Sequence, residues 1–245
     1  MGMPVSVLAR GPGARSLRAA EAVDAVFAEL HQVDETFSLY RTDSEVSRIN
    51  RGDLAASDGG PEVREVAERC VAARTRTSGL FDSRRPDGTW DPSGLVKGWA
   101  TERAAHRLSG VEVDWCLNVG GDVALRCPSG QGFGIGIEDP RDPSQVATVI
   151  RRSTGGVATS GVAARGAHIY DPRTGGAVRG DLASVTVVGP SLEIADVLAT
   201  AAFVAGDGWA DLLAAEPGYA GLAVLADGQL VATAEWPGPL DTRKP

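Results

Sequence analysis

The chain has 245 residues, 43% of them hydrophobic and 23% charged, enough apolar surface for one large buried core or two small ones. Its formal charge of −8 and pI near 5.0 exclude nucleic acid as the main partner, because phosphate binding rests on clustered cationic surface and counter-ion release. Cys70, Cys116 and Cys127 are few, odd in number and without a CxxC pair, which excludes a disulfide framework and a cysteine zinc site. No run approaches 18 consecutive apolar residues, and the opening MGMPVSVLARGPGAR has neither the basic start nor the apolar stretch of a secretory leader. The expectation is a cytoplasmic protein without membrane insertion.

Residues Pro4 to Ala9 alternate like a short strand. Ser16 is a candidate N-cap for a long amphipathic helix that runs to about Phe37, with Ala20, Val23, Phe27, Leu30 and Phe37 near helical spacing. Pro61 suits the first turn of a second helix that buries Val63, Val66, Ala67, Cys70 and Val71, and Gly79 lies beyond its end. SGLVKGWATERAAHRL reads as a further helix, and VDWCLNV, GDVALRC, FGIGIED and TVIRRST read as short, closely spaced strands. ASVTVVG is another strand and SLEIADVLATAAFVAG a strongly apolar helix, while AGLAVLA and LVATAEW flank Asp227 and Gly228, a two-residue hairpin signal. The expected fold is α+β, a single domain over residues 1–236 with a largely antiparallel sheet and packed helices, followed by a flexible tail at 237–245.

Lys97 is the one lysine before the tail, where Lys244 lies. Gly94 and Gly98 flank it near a predicted helix start, a setting that suits an anionic ligand, although a solvated surface lysine fits the composition as well. Asn118-Val119-Gly120-Gly121-Asp122 joins two strands through paired glycines, either as a plain turn or as a place where backbone N–H groups face a ligand. Ala158-Thr159-Ser160-Gly161 reads as a Gly-rich turn with two hydroxyls, and His168 with Asp171 as a candidate general base with a metal ligand or orienting group. A structural histidine is the alternative. Asp196 and Thr200, four residues apart, interrupt an apolar helix on one face. A buried carboxylate there needs a cation, a basic partner or a cap, and oxygen ligands suit Mg2+ or another hard cation.

In this order, six segments resemble the ApbE family of FAD:protein FMN transferases over approximately residues 33–206. They are Phe37-Ser38-Leu39-Tyr40 with Asp43-Ser44-Glu45 and Asn50; Gly79 to Asp82; Asp91 to Ala100; Asn118 to Asp122; Ala158 to Gly161 followed by His168 to Gly175; and Ala195 to Ala201. The resemblance implies that FAD is the substrate, that its FMN half goes to a threonine or serine hydroxyl of an acceptor flavoprotein or FMN-binding domain, and that AMP is released. A divalent cation, Mg2+ or alternatively Mn2+, is implied at Asp196 and Thr200. FAD contacts are implied for Ser38, Tyr40, Lys97, Gly98, Glu102, Asn118, Gly120, Gly121, Asp122, Thr159, Ser160, Gly161 and His168. Catalytic roles fall to His168, Asp171 and Lys97. Glu102 stands where the family has an aspartate, and Val162-Ala163-Ala164-Arg165 replaces its usual acidic and aromatic residues. An FAD pyrophosphatase and a noncatalytic FAD-binding protein are the alternative readings.

Overall fold

A computed structural model describes residues 2–161 and 169–240. Strand β1 (Val5–Arg10) leads into α1 (Leu17–Phe37), where the Ser16 hydroxyl accepts the Ala19 N–H and so caps the helix start. Helix α2 (Glu45–Arg51) is capped in the same way by Ser44, which accepts from the Ser47 N–H, and ends at Gly52 in the left-handed region. The hydrophobic periodicity of so short a helix is slight, and the sequence reading leaves it unassigned. Helix α3 (Pro61–Arg76) has Pro61 in its first turn and buries Val63, Val66, Cys70 and Ala73. Val71 is 67% exposed, contrary to expectation, because it sits one residue and therefore about 100° around the helix from Cys70.

Helix α4 (Ser93–Ala105) is followed by β2 (Asp114–Val119), β3 (Asp122–Arg126), β4 (Phe133–Asp139), β5 (Asp142–Arg152), β6 (Thr154–Gly161) and β7 (Leu182–Gly189). After them come α5 (Leu192–Ala205), α6 (Trp209–Ala214), β8 (Ala220–Leu225) and β9 (Leu230–Ala232). Seven strands form one antiparallel sheet in the order β1-β2-β3-β6-β7-β8-β9, and β4 pairs with β5 in a separate ribbon. The mixed helix and strand architecture agrees with the α+β expectation. One correction concerns Ala158 to Gly161, which forms strand rather than turn and pairs residue by residue with Val187 to Ser184. Its small residues serve close packing: a side chain at Gly156 would lie 2.4 Å from Leu192 Cα at the start of α5.

Alternating residues of the main sheet feed two separate cores. Ala124, Ala158, Val185, Val187 and Ala223 face the helices, whereas Val123, Leu125, Val157, Val188 and Leu222 face the β4-β5 ribbon and Trp236. A period of two on a sheet covered on both faces produces this division. Helix α5 packs on β3, β6 and β7 and against α4, which in turn meets α1. Covered on several sides, α5 is apolar nearly all round. Beyond β9, the Thr148 hydroxyl donates to the Pro239 carbonyl at 2.8 Å.

Candidate functional site

The site forms where α4, α5 and the β2-β3 hairpin meet on the helix-covered face of the sheet. Gly98 controls the approach of the two helices. A methyl group on it would come within 2.8 Å of Glu193 Cα and 3.1 Å of Asp196 Cβ, so only a residue without a side chain allows α4 to sit this close to α5. The Gly98 N–H donates to Asp196 Oδ2 at 3.1 Å. Lys97, the fifth residue of α4, thereby reaches two carboxylates, with Nζ 2.8 Å from Asp122 Oδ2 and 3.5 Å from Asp196 Oδ1. Both aspartates are only 1% exposed.

Asp122 lies on the same sheet face as Ala124, directed at α4, and its Oδ1 accepts the Thr159 N–H at 3.3 Å. Burial pushes Asp196 up to about 8 against the pull of Lys97, and the neighbouring Asp122 charge adds to the rise. Burial raises Asp122 as well, opposed by the Lys97 ammonium. Among the described residues, Lys97 is the one cation paired with these two carboxylates, a balance that in a dry setting favours keeping a proton or taking a cation. One turn along α5 from Asp196, the Thr200 hydroxyl lies 3.0 Å from the Ser160 hydroxyl. Carboxylate and hydroxyl oxygens together make a donor set that fits a hard divalent cation.

The other expected residues are distributed unevenly around this cluster. Ser160 faces α5, but Thr159 points to the opposite sheet face and pairs with the buried Thr186 hydroxyl at 2.9 Å. The Gly120-Gly121 turn has positive φ at both glycines, yet its amides are already engaged. Gly120 donates to the Pro4 carbonyl and Gly121 to Asn118 Oδ1, bonds that a plain turn also makes. Gly161 ends β6, where a side chain would meet the Ala183 carbonyl at 2.6 Å.

Glu102 accepts from the Leu192 N–H and, at 3.2 Å, from the Ser191 hydroxyl, so it caps the start of α5. Asp171 accepts from Arg173 through both oxygens, and the guanidinium holds its carboxyl below the usual range. Ser38 is the C-cap of α1, and its carbonyl accepts the Ser44 and Ser47 hydroxyls. Tyr40 is 94% exposed. His168, with Val162 to Arg165, lies outside the described residues.

Two supports escaped the sequence reading. Asn50, quoted there only as part of a motif, clasps the backbone of Trp90, donating to its carbonyl at 2.9 Å and accepting its N–H at 2.7 Å. The Tyr170 hydroxyl lies 2.8 Å from the Asp82 carbonyl and 2.6 Å from that of Arg84, tying the turn after β6 to the loop before α4. A polar residue that pairs with a distant backbone leaves no periodic signal, so neither contact was legible from spacing.

The family model described as the ApbE family matches residues 1–85 and 83–223. The chain belongs to the ApbE family. Among curated relatives, this ApbE chain is 27% identical over 239 residues to the FAD:protein FMN transferase of Vibrio cholerae, a match covering 73% of the chain and 71% of that protein. It is 31% identical over 130 residues to the FAD:protein FMN transferase of Haemophilus influenzae, covering 48% of the chain and 38% of that protein. The crystal structure of the ApbE protein from Thermotoga maritima superposes with a TM-score of 0.81 at 23% identity, over 95% of this chain and 94% of that one. That likeness establishes the ApbE fold.

Proposed function

We propose that this protein moves the FMN half of FAD onto a threonine or serine hydroxyl of an acceptor flavoprotein or FMN-binding domain, releasing AMP, with Mg2+ or Mn2+ held by Asp196 and Thr200. The observation that carries this reading is the buried cluster in which, among the described residues, two carboxylates share the Lys97 ammonium beside the paired hydroxyls of Thr200 and Ser160. Such a cluster keeps a proton or takes a cation. Family membership and the names of the relatives support the flavin chemistry. A bound divalent cation would neutralise the charge that develops on phosphate oxygens during transfer.

The protein's own groups would do the rest. The acceptor hydroxyl attacks the phosphorus on the FMN side of the pyrophosphate, a new oxygen–phosphorus bond forms, and the bond to the AMP oxygen breaks. His168 takes the hydroxyl proton and AMP leaves as the anion. Ser160, aimed into the cluster, is suited to orient a phosphate oxygen. Asn50 and Tyr170 hold the surrounding loops in place. Incubation with FAD, Mg2+ and a flavin-acceptor domain, followed by intact-mass analysis and AMP quantitation, tests the reading. One FMN added per AMP released is the expected result. AMP with free FMN and an unmodified acceptor would instead indicate hydrolysis, and intact FAD would refute a catalytic role.

A further inference from the structure

We propose that Lys97 is a built-in counter-ion of the cation site, and that Asp122, a positioning residue, sets the affinity of the site by holding that ammonium aside. The inference rests on the reading of Asp196 and Thr200 as the cation ligands. Its basis is the unequal sharing of one charge: Nζ is 2.8 Å from Asp122 but 3.5 Å from Asp196, so the ammonium leans toward the carboxylate that is not on α5. Asp122 is itself fixed, buried and bound to the Thr159 N–H. Asp196 keeps the Gly98 N–H as a neutral partner and has an oxygen within reach of a mobile ammonium on a four-carbon stem. A cation arriving at Asp196 meets an ion pair that is nearly neutral as a unit.

Removing either half of that pair has opposite consequences. Without the Asp122 charge, the ammonium closes on Asp196 and competes with the cation for the same oxygen. Without the ammonium, the Asp122 charge adds to the attraction for the cation. Unit charges a few ångströms apart in a partly buried site alter binding by about tenfold or more.

The test uses Mn2+ as the probe, titrated into the FAD-free, full-length protein and followed by the electron paramagnetic resonance signal of the free ion. Asp122→Asn is expected to weaken Mn2+ binding by about tenfold or more, Lys97→Met to strengthen it by a similar factor, and the double variant to return close to the parent. A merely structural role would shift both single variants in the same direction, toward weaker binding. Circular dichroism spectra and melting curves show which variants fold, and Lys97→Arg, which keeps the charge, should stay close to the parent. Binding by the parent that Asp196→Ala removes, but that Lys97→Met leaves unchanged or weakens, overturns the counter-ion proposal while sparing the cation site. Mn2+ binding indifferent to Asp196→Ala, or no binding at all, overturns the site and the proposal together.

Discussion

Replacing Asp196 with Asn separates the charge of the cluster from its shape. The amide keeps an oxygen for the Gly98 N–H and nearly the same volume, and Lys97 retains Asp122 at 2.8 Å. In the parent, burial raises the Asp196 carboxyl from 3.8 to about 8. The folded state therefore holds a proton near neutrality that the unfolded chain has given up. Stability from this group is fully present below about pH 4 and is lost as pH rises through about 8. By pH 7 the loss spans roughly three pH units, on the order of 4 kcal/mol. A buried amide carries a smaller cost, about 1–3 kcal/mol if poorly paired. Asp196→Asn should thus be more stable than the parent at pH 7 by roughly 1–3 kcal/mol without added cation, with the gain widening toward pH 9, while FMN transfer is abolished. Urea denaturation in EDTA at pH 5, 7 and 9, alongside the transfer assay, measures both effects. A variant less stable than the parent at pH 9, or a parent whose stability does not decline over that range, would refute the reasoning.

Three further outcomes follow from the contacts. Gly98→Val should force α4 away from α5, costing about 1–3 kcal/mol in denaturant unfolding and lowering cation affinity, since the obstructing atoms belong to the backbone of Glu193 and Leu192. Asn50→Ala should cost about 1–3 kcal/mol by removing both bonds to Trp90, and limited proteolysis should then cut first in the 82–91 loop. His168→Ala should lower transfer by roughly 100-fold or more with little change in FAD affinity, measured by single-turnover kinetics beside equilibrium titration. Equal loss of rate and affinity would make His168 a binding residue.

The parts of this protein that could be read from its sequence are those governed by neighbours along the chain. Although α1 buries Ala19, Val26, Leu30, Val33 and Phe37 rather than Ala20, Val23 and Phe27, and three residues, Ala226 to Gly228, rather than two separate the paired Leu225 and Gln229 of the last hairpin, the Ser16 cap, Pro61 in a first turn and the extent of α1 depend on a few consecutive residues and stand where side-chain chemistry predicts them. The pairing of Asp196 with Thr200 on one helical face was legible for the same reason, as was Lys97 near two glycines. Tertiary structure decided what those groups meet. Only the crossing of α4 and α5 at Gly98 brings Lys97 to Asp196, and only the strand order places Asp122 on the facing surface. Strand parity turns Thr159 away while Ser160 faces in, and Glu102 spends its carboxylate on the start of a helix 90 residues further along. The small residues of β6 look like a turn in isolation, because the sequence does not display the helix that presses on them. Side-chain type and period are local properties, whereas the charge balance of a buried site is a sum over groups that folding brings together from distant segments.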